Sequence, residues 1–332
     1  MPVMVSAPGS DGRPLGTYAQ WQASRSSVPT CELADLVRRA VGSEPVRTER
    51  ILQGYSNEVY RIRTADAHDV VVRILRFDDD VSTAAAAAEA ATIDSARAAG
   101  VPAPEILLLD TVEVDGEQFP VMVQRTVAGD PLDAVIDRLS HRHRHDLLVE
   151  IGTVIARMNA IVVAGDRDWV TAMTAARAGR VGQRDKIITA GFSARDVDEM
   201  FELLDAYIRD FPCGHWILSH GDLSLKHIFV TVDADAALPR VSGIIDFGDW
   251  LPGAPVHDLA VFRVREPQLE LEPLLRGYGR SADPLFRRRL DLHTVLIALG
   301  SLAFGVDEGD RRGVARTTDQ LRTVIADLTG GS

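Results

Sequence analysis

Lysine is nearly missing from this chain. Lys186 and Lys226 are the only two among 36 basic residues, so any task that needs a cation before position 186 falls to arginine or histidine. Cysteine is equally scarce: Cys31 and Cys213 are too few for a disulfide framework or a cysteine metal centre. They read as two reduced thiols in a cytoplasmic protein. Positive charge is outweighed, with 36 basic against 48 acidic residues and a formal net charge of −12. That balance argues against nucleic acid as a partner. Long apolar runs are missing too. Residues 1–16 lack the basic start and apolar stretch of a secretory signal. The most apolar late stretch, Thr294 to Phe304, falls short of the ~20 residues a membrane span needs. Neither a membrane nor an obligate protein partner is expected.

What is present is an ordinary globular composition over 332 residues, 46% hydrophobic and 25% charged, enough for one large domain or two lobes. Residues 1–17, rich in proline, glycine and serine, read as a mobile tail. Thr30 after Pro29 is the expected cap of a short helix with Leu33, Leu36, Val37 and Val41 on one face. Glu58 to Ile62 and Asp69 to Leu75 read as strands, and alanine-dominated Ala84 to Ala99 as a helix ended by Gly100, Pro102 and Pro104. Glu105 to Val114 and Phe119 to Val127 flank Asp115-Gly116, a strong hairpin signal. Beyond Gly129 the texture turns helical. Leu147, Leu148, Ile151, Val154, Ile155, Met158 and Ile161 form one apolar stripe. Ser193 and Asp196 form a capping box for a second helix that Pro212 closes. Three short apolar runs, Ile217 to Ser219, Ile228 to Val232 and Val241 to Ile245, interrupt the helices. The expected organisation is a tail (1–17), a strand-rich lobe (18–122), a hinge (123–129) and a helical lobe (130–332).

The densest polar cluster is Ser219-His220-Gly221-Asp222-Leu223-Ser224-Leu225-Lys226-His227, set between the first two short runs. A second, Asp246-Phe247-Gly248-Asp249-Trp250, follows the third. If the second and third runs pair, Asp222, His227 and Asp246 converge. Such a set suits a Mg²⁺–phosphate site, because Mg²⁺ keeps most of its waters and takes one or two protein carboxylates beside phosphate oxygens.

The H-G-D-x-x-x-x-[N/H] loop followed by I-D-F resembles the phosphotransferase family of aminoglycoside and macrolide antibiotic kinases. The resemblance covers about residues 45–262. It implies an α+β, bilobal, protein-kinase-like fold with a β-rich nucleotide-binding N-terminal lobe and a mostly helical catalytic and substrate-binding C-terminal lobe. Asp222 then takes the role of catalytic base, and His227 and Asp246 hold the metal, Mg²⁺ or Mn²⁺. In Val71-Val72-Arg73-Ile74-Leu75, Arg73 stands where kinases place the phosphate-holding lysine, and Glu89 is its partner. Gln53-Gly54-Tyr55-Ser56-Asn57 resembles the family's short nucleotide loop, with Ser56 and Asn57 at the phosphates. Backbone groups at Met122 and Gln124 occupy the hinge position that meets the purine edge. Asp249 and Trp250 fall where the acceptor pocket begins.

Two departures from the family pattern matter. His227 replaces the usual asparagine, a softer ligand that lets Mn²⁺ compete and tilts the acceptor towards macrolides. Ala254 replaces an aspartate, leaving Asp258 to cap a helix and brace the catalytic loop, with His220 as the loop's anchor. The implied activity is ATP- or GTP-dependent phosphorylation of a hydroxyl on an antibiotic, macrolide or aminoglycoside, conferring resistance. Acidic residues Glu266, Glu270, Glu272, Asp307, Glu308 and Asp310 would steer a cationic acceptor. The alternatives are a kinase of a metabolite hydroxyl and a non-catalytic nucleotide-binding pseudokinase.

Overall fold

A computed structural model describes residues 23–52, 57–76, 82–232 and 238–330. The expected tail, and Gln53 to Ser56 of the nucleotide-loop motif, lie outside the described residues. The chain divides into two units, Met1–Arg97 with Ala103–Val127, and Ala98–Pro102 with Ala128–Ser332.

In the first unit, β1 (Pro45–Ile51), β2 (Asn57–Thr64), β3 (Asp69–Leu75), β4 (Ile106–Val114) and β5 (Glu117–Arg125) form one sheet in the order β1-β2-β3-β5-β4. Alternation along β2 sends Tyr60 and Ile62 into the core, where they meet Val70, Val72 and Ile74 of β3 and Val121 and Val123 of β5. Helix α1 (Thr30–Val41) lays Leu33, Leu36 and Val37 on the same core. Thr30 is its first residue rather than its cap; Pro29 holds the cap position and no side chain bonds there. The β4–β5 hairpin turns on Asp115 and Gly116, both at positive φ, as a two-residue turn requires. Strand β1 carries no sequence signal because it is a mostly exposed edge strand without alternation. Helix α2 (Thr83–Ala98) matches the alanine-rich segment within a residue.

β5 runs past residue 122 to Arg125, and the unit itself extends to Val127. The strand lies between β3 and β4, so Met122 and Gln124 are interior ladder residues paired on both sides. Their backbone groups are thus unavailable to a purine edge, which corrects the sequence expectation. Even Thr126 N–H still donates to Asp69 O.

In the second unit, α3 (Leu132–Val135) is followed by α4 (His141–Asn159), α5 (Trp169–Val181), α6 (Arg184–Thr189) and α7 (Ala194–Asp210). The Ser193–Asp196 capping box forms as expected. Two three-stranded sheets position the polar loops. One orders β10 (Arg240–Ile244), β9 (Ile228–Thr231) and β6 (Asp130–Pro131); the other orders β11 (Leu251–Gly253), β8 (Trp216–Ser219) and β7 (Val162–Val163). Four helices close the unit: α8 (His257–Arg265), α9 (Leu271–Tyr278), α10 (Pro284–Asp307) and α11 (Arg311–Gly330). Helix α10 is long and apolar enough to cross a membrane by length and composition, yet 67% of that window is buried inside the protein. It packs against α5, α6, α7, α8 and α11, so its apolar character serves a core.

Candidate active site

Pairing of β9 with β10 brings the two polar motifs together. Ile228 faces Ile244 in antiparallel register, and Ile245 N–H donates to His227 O at 2.9 Å. His227 enters one strand of this hairpin and Asp246 leaves the other, so their side chains meet, with His227 Nε2 3.4 Å from Asp246 Oδ2. Asp222 joins them through the intervening loop, its carbonyl O 2.8 Å from His227 Nδ1. Gly221, at φ +88°, lets this loop pass the Asp246–Trp250 turn at backbone contact; a Cβ there would lie 2.0 Å from Asp249 O.

The proton on His227 is assigned by its partners. A carbonyl oxygen only accepts, so Nδ1 carries the hydrogen and Nε2 presents its lone pair to Asp246. Burial pushes the imidazole below its ordinary pKa, chiefly by desolvation and against the pull of Asp246, so the neutral form holds near pH 7. Two acceptors then face each other at 3.4 Å, an arrangement that a cation between them satisfies. A histidine whose far nitrogen donates to a backbone carbonyl is the usual form of a metal-ligating imidazole. The donor set therefore fits a divalent ion that keeps most of its waters and its phosphate ligands. Asp246 itself adopts φ +68°, a left-handed conformation that aspartate tolerates better than most residues and that aims its carboxylate.

The loop backbone is held from behind. The buried Asp258 carboxylate accepts from His220 N–H at 3.2 Å, Gly221 N–H at 3.1 Å and Asn159 Nδ2 at 3.1 Å. It braces the loop as expected but caps no helix, because α8 has no side-chain cap bond. His220 is an anchor: its Nε2 lies 2.9 Å from Ile245 O, and its ring rests on Phe247 at 4.8 Å. Glu266, just past α8, accepts from Leu225 N–H at 3.0 Å. Burial raises its pKa above the ordinary carboxylate value.

Around Asp222, Arg265 Nη2 donates to Oδ1 at 2.5 Å, while Lys226 Nζ stands 3.8 Å from Oδ2. Sequence reasoning missed Arg265 and Asn159. One signal was available for the first: Asp258 and Arg265 are seven residues apart, two turns along one helix face. Asp249 is exposed and Trp250 half-buried on the turn after Asp246.

In the first unit, Arg73 and Glu89 form the expected pair, Nη1 to Oε1 at 2.5 Å, both buried. Asn57 opens β2 opposite Leu75. Ser56 lies outside the described residues.

The first unit thus carries a buried cation–carboxylate pair between β3 and α2, and the second a carboxylate–imidazole–carboxylate set at a β-hairpin. The phosphotransferase enzyme family model matches residues 47–291, and the chain belongs to that family. None of the curated proteins compared matches it. Among solved structures it is similar to APH(2'')-IIIa in complex with GDP and kanamycin, at 16% identity and TM-score 0.61, covering 89% of this chain and 99% of that one. It is also similar to the aminoglycoside phosphotransferase APH(4)-Ia in ternary complex with AMP-PNP and hygromycin B, at 16% identity and TM-score 0.62, covering 90% and 99%. A third is macrolide 2'-phosphotransferase MphH from Brachybacterium faecium, at 21% identity and TM-score 0.50, covering 86% and 97%. At these identities the likeness establishes the α+β, protein-kinase-like fold.

Proposed function

We propose that this protein transfers the γ-phosphoryl group of ATP or GTP to a hydroxyl of a small molecule in the cytoplasm. The observation that carries this reading is the convergence of Asp222, His227 and Asp246 at the ends of β8, β9 and β10. Asp222 orients the acceptor hydroxyl and takes its proton. His227 and Asp246 hold Mg²⁺ or Mn²⁺, which when bound neutralises charge on the phosphates. Arg73, steadied by Glu89, holds phosphate oxygens together with Ser56 and Asn57, and Asp249 and Trp250 border the acceptor. Catalysis by such a set rests on positioning and electrostatics.

For the acceptor, the family resemblance favours an antibiotic hydroxyl, macrolide or aminoglycoside. A metabolite hydroxyl is favoured by a different observation: the catalytic carboxylate is already engaged by the Arg265 cation. The test is nucleotide turnover with Mg²⁺ or Mn²⁺ against macrolides, aminoglycosides, amino alcohols and hydroxy acids, with Asp222→Ala alongside. Transfer should fall by about 10²-fold or more in the variant. Undiminished transfer overturns the assigned base, and failure of the wild type to bind purine triphosphate overturns the kinase reading.

A further inference from the structure

Arg265 ends helix α8 with its side chain 49% exposed, and its contact with Asp222 Oδ1 is its one hydrogen bond among the described residues. A guanidinium carries five N–H donors in a rigid fork that matches carboxylate and phosphate. One N–H is on Asp222, and with about half of the side chain exposed the others are open to a ligand beside it. Lys226, also exposed, adds a second cation near the other carboxylate oxygen.

The acidic residues that should have drawn a cationic acceptor are largely engaged. Glu266 accepts from Leu225 N–H, and Glu270 pairs with His141 at 3.1 Å. Glu272 pairs with Arg287 at 2.6 Å and Asp307 with Lys186 at 2.5 Å. Asp310 accepts from Gly313 N–H at 2.9 Å. Two cations, Arg265 and Lys226, stand at the two oxygens of Asp222, while the carboxylates of Asp246 and Asp249 lie on the neighbouring turn.

Resting on the kinase reading above, we infer that the acceptor carries an acidic group, carboxylate or phosphate, close to its reacting hydroxyl, and that Arg265 binds it. The free edge of the guanidinium holds the acid while Nη2 stays on Asp222 Oδ1. One side chain then ties base to substrate and leaves Oδ2 for the hydroxyl. In the transfer, the acceptor O–H bond breaks and its proton goes to Asp222 Oδ2. The acceptor oxygen bonds the γ-phosphorus, and the bond from that phosphorus to the bridging oxygen breaks, its electron pair leaving with the nucleoside diphosphate.

The experiment measures nucleoside diphosphate release by the full-length wild type, Arg265→Met and Arg265→Lys over matched acceptors. These are hydroxy acids against their methyl esters, and sugar phosphates against the free sugars, with kanamycin and erythromycin as cationic references. The wild type should prefer each productive acid over its neutral partner by about tenfold or more in kcat/KM. Arg265→Met should erase that ratio, whatever its absolute rate, through KM for the acid, and Arg265→Lys should restore part of it. The carboxylate and phosphate arms tell which acid is read. Where no panel member accepts phosphate, malonate and inorganic phosphate serve as probes of nucleotide hydrolysis. A saturable effect in the wild type that is lost in Arg265→Met supports the inference, and an equal response in both overturns it. Turnover of neutral or cationic acceptors as good as that of the acids, or a ratio unchanged in Arg265→Met, also overturns it while leaving the kinase reading intact. Absence of any nucleotide turnover, hydrolysis included, defeats the kinase reading itself.

Discussion

Arg73 shows what a shortage of lysine does at a single position. A guanidinium buried to this degree needs a carboxylate beside it, and Glu89 on α2 supplies one at 2.5 Å. Removing one member of a buried pair leaves an uncompensated charge and costs on the order of 3 kcal/mol or more. Glu89→Ala should therefore lower unfolding free energy by about that amount in urea titrations, well beyond a surface change. Arg73→Lys keeps the charge but loses the planar fork. Nucleotide affinity by calorimetry should fall by about tenfold with only a small loss of stability. An unchanged dissociation constant would remove Arg73 from the phosphate site. At this scale the sequence was informative: the spacing of the two polar motifs anticipated that Asp222, His227 and Asp246 converge, and the family resemblance singled out Arg73 and Glu89, which pair. Arg265 was not anticipated, since its contact with Asp222 joins residues 43 apart.

Among the elements, those whose signal is local match their expectations. The Asp115-Gly116 turn, the Ser193–Asp196 capping box and the alanine helix each depend on a few neighbouring residues. Elements that depend on what lies beside them do not. β1 is polar and takes its shape from β2, while β6, β7 and β11 are too short to show a period. Met122 and Gln124 belong to this second group, because only the placement of β4 beside β5 uses up that backbone. Helix α8 and the residue after it grip the catalytic loop three times, through Asp258, Arg265 and Glu266. The loop depends equally on Gly221, whose positive φ disfavours a side chain and where a Cβ would fall 2.0 Å from Asp249 O. Gly221→Ala should reduce turnover strongly and lower Tm, with Asp222 displaced in a crystal structure of the variant. Wild-type kinetics in that variant would show that the loop tolerates a shift.

For the whole molecule, the buried histidines of the second unit set a response to acid. His293 bonds Tyr207 Oη at 2.9 Å and His257 at 3.1 Å, and burial holds both imidazoles below the ordinary value of 6.5. Below about pH 6.5 the unfolded chain takes up protons that the folded chain resists, so stability declines as pH falls towards the folded pKa values. Glu266 works in the opposite sense: its carboxyl is raised by burial, so its contribution is present below about 4.5 and is lost as pH rises through its folded value. Two imidazoles act in this sense against one carboxyl, so Tm should drop as pH falls below 6.5. His293→Gln should flatten that slope even if it lowers Tm at pH 7. An identical slope in the variant would place the acid sensitivity elsewhere.

Composition alone determined that the cation paired with Glu89 on β3 is arginine, since no lysine precedes position 186. The order of the short apolar runs likewise anticipated that a hairpin would bring His227 and Asp246 together, because strand alternation and turn chemistry are properties of short segments. Only the tertiary structure decided which cation meets Asp222. Pairing of a carboxylate with a distant cation is set by packing, which joins Glu272 to Arg287, Asp307 to Lys186 and Asp222 to the half-exposed Arg265. The net charge of −12 is the ground for expecting a cationic acceptor; the acidic acceptor we infer rests instead on one contact that packing makes, Arg265 on Asp222.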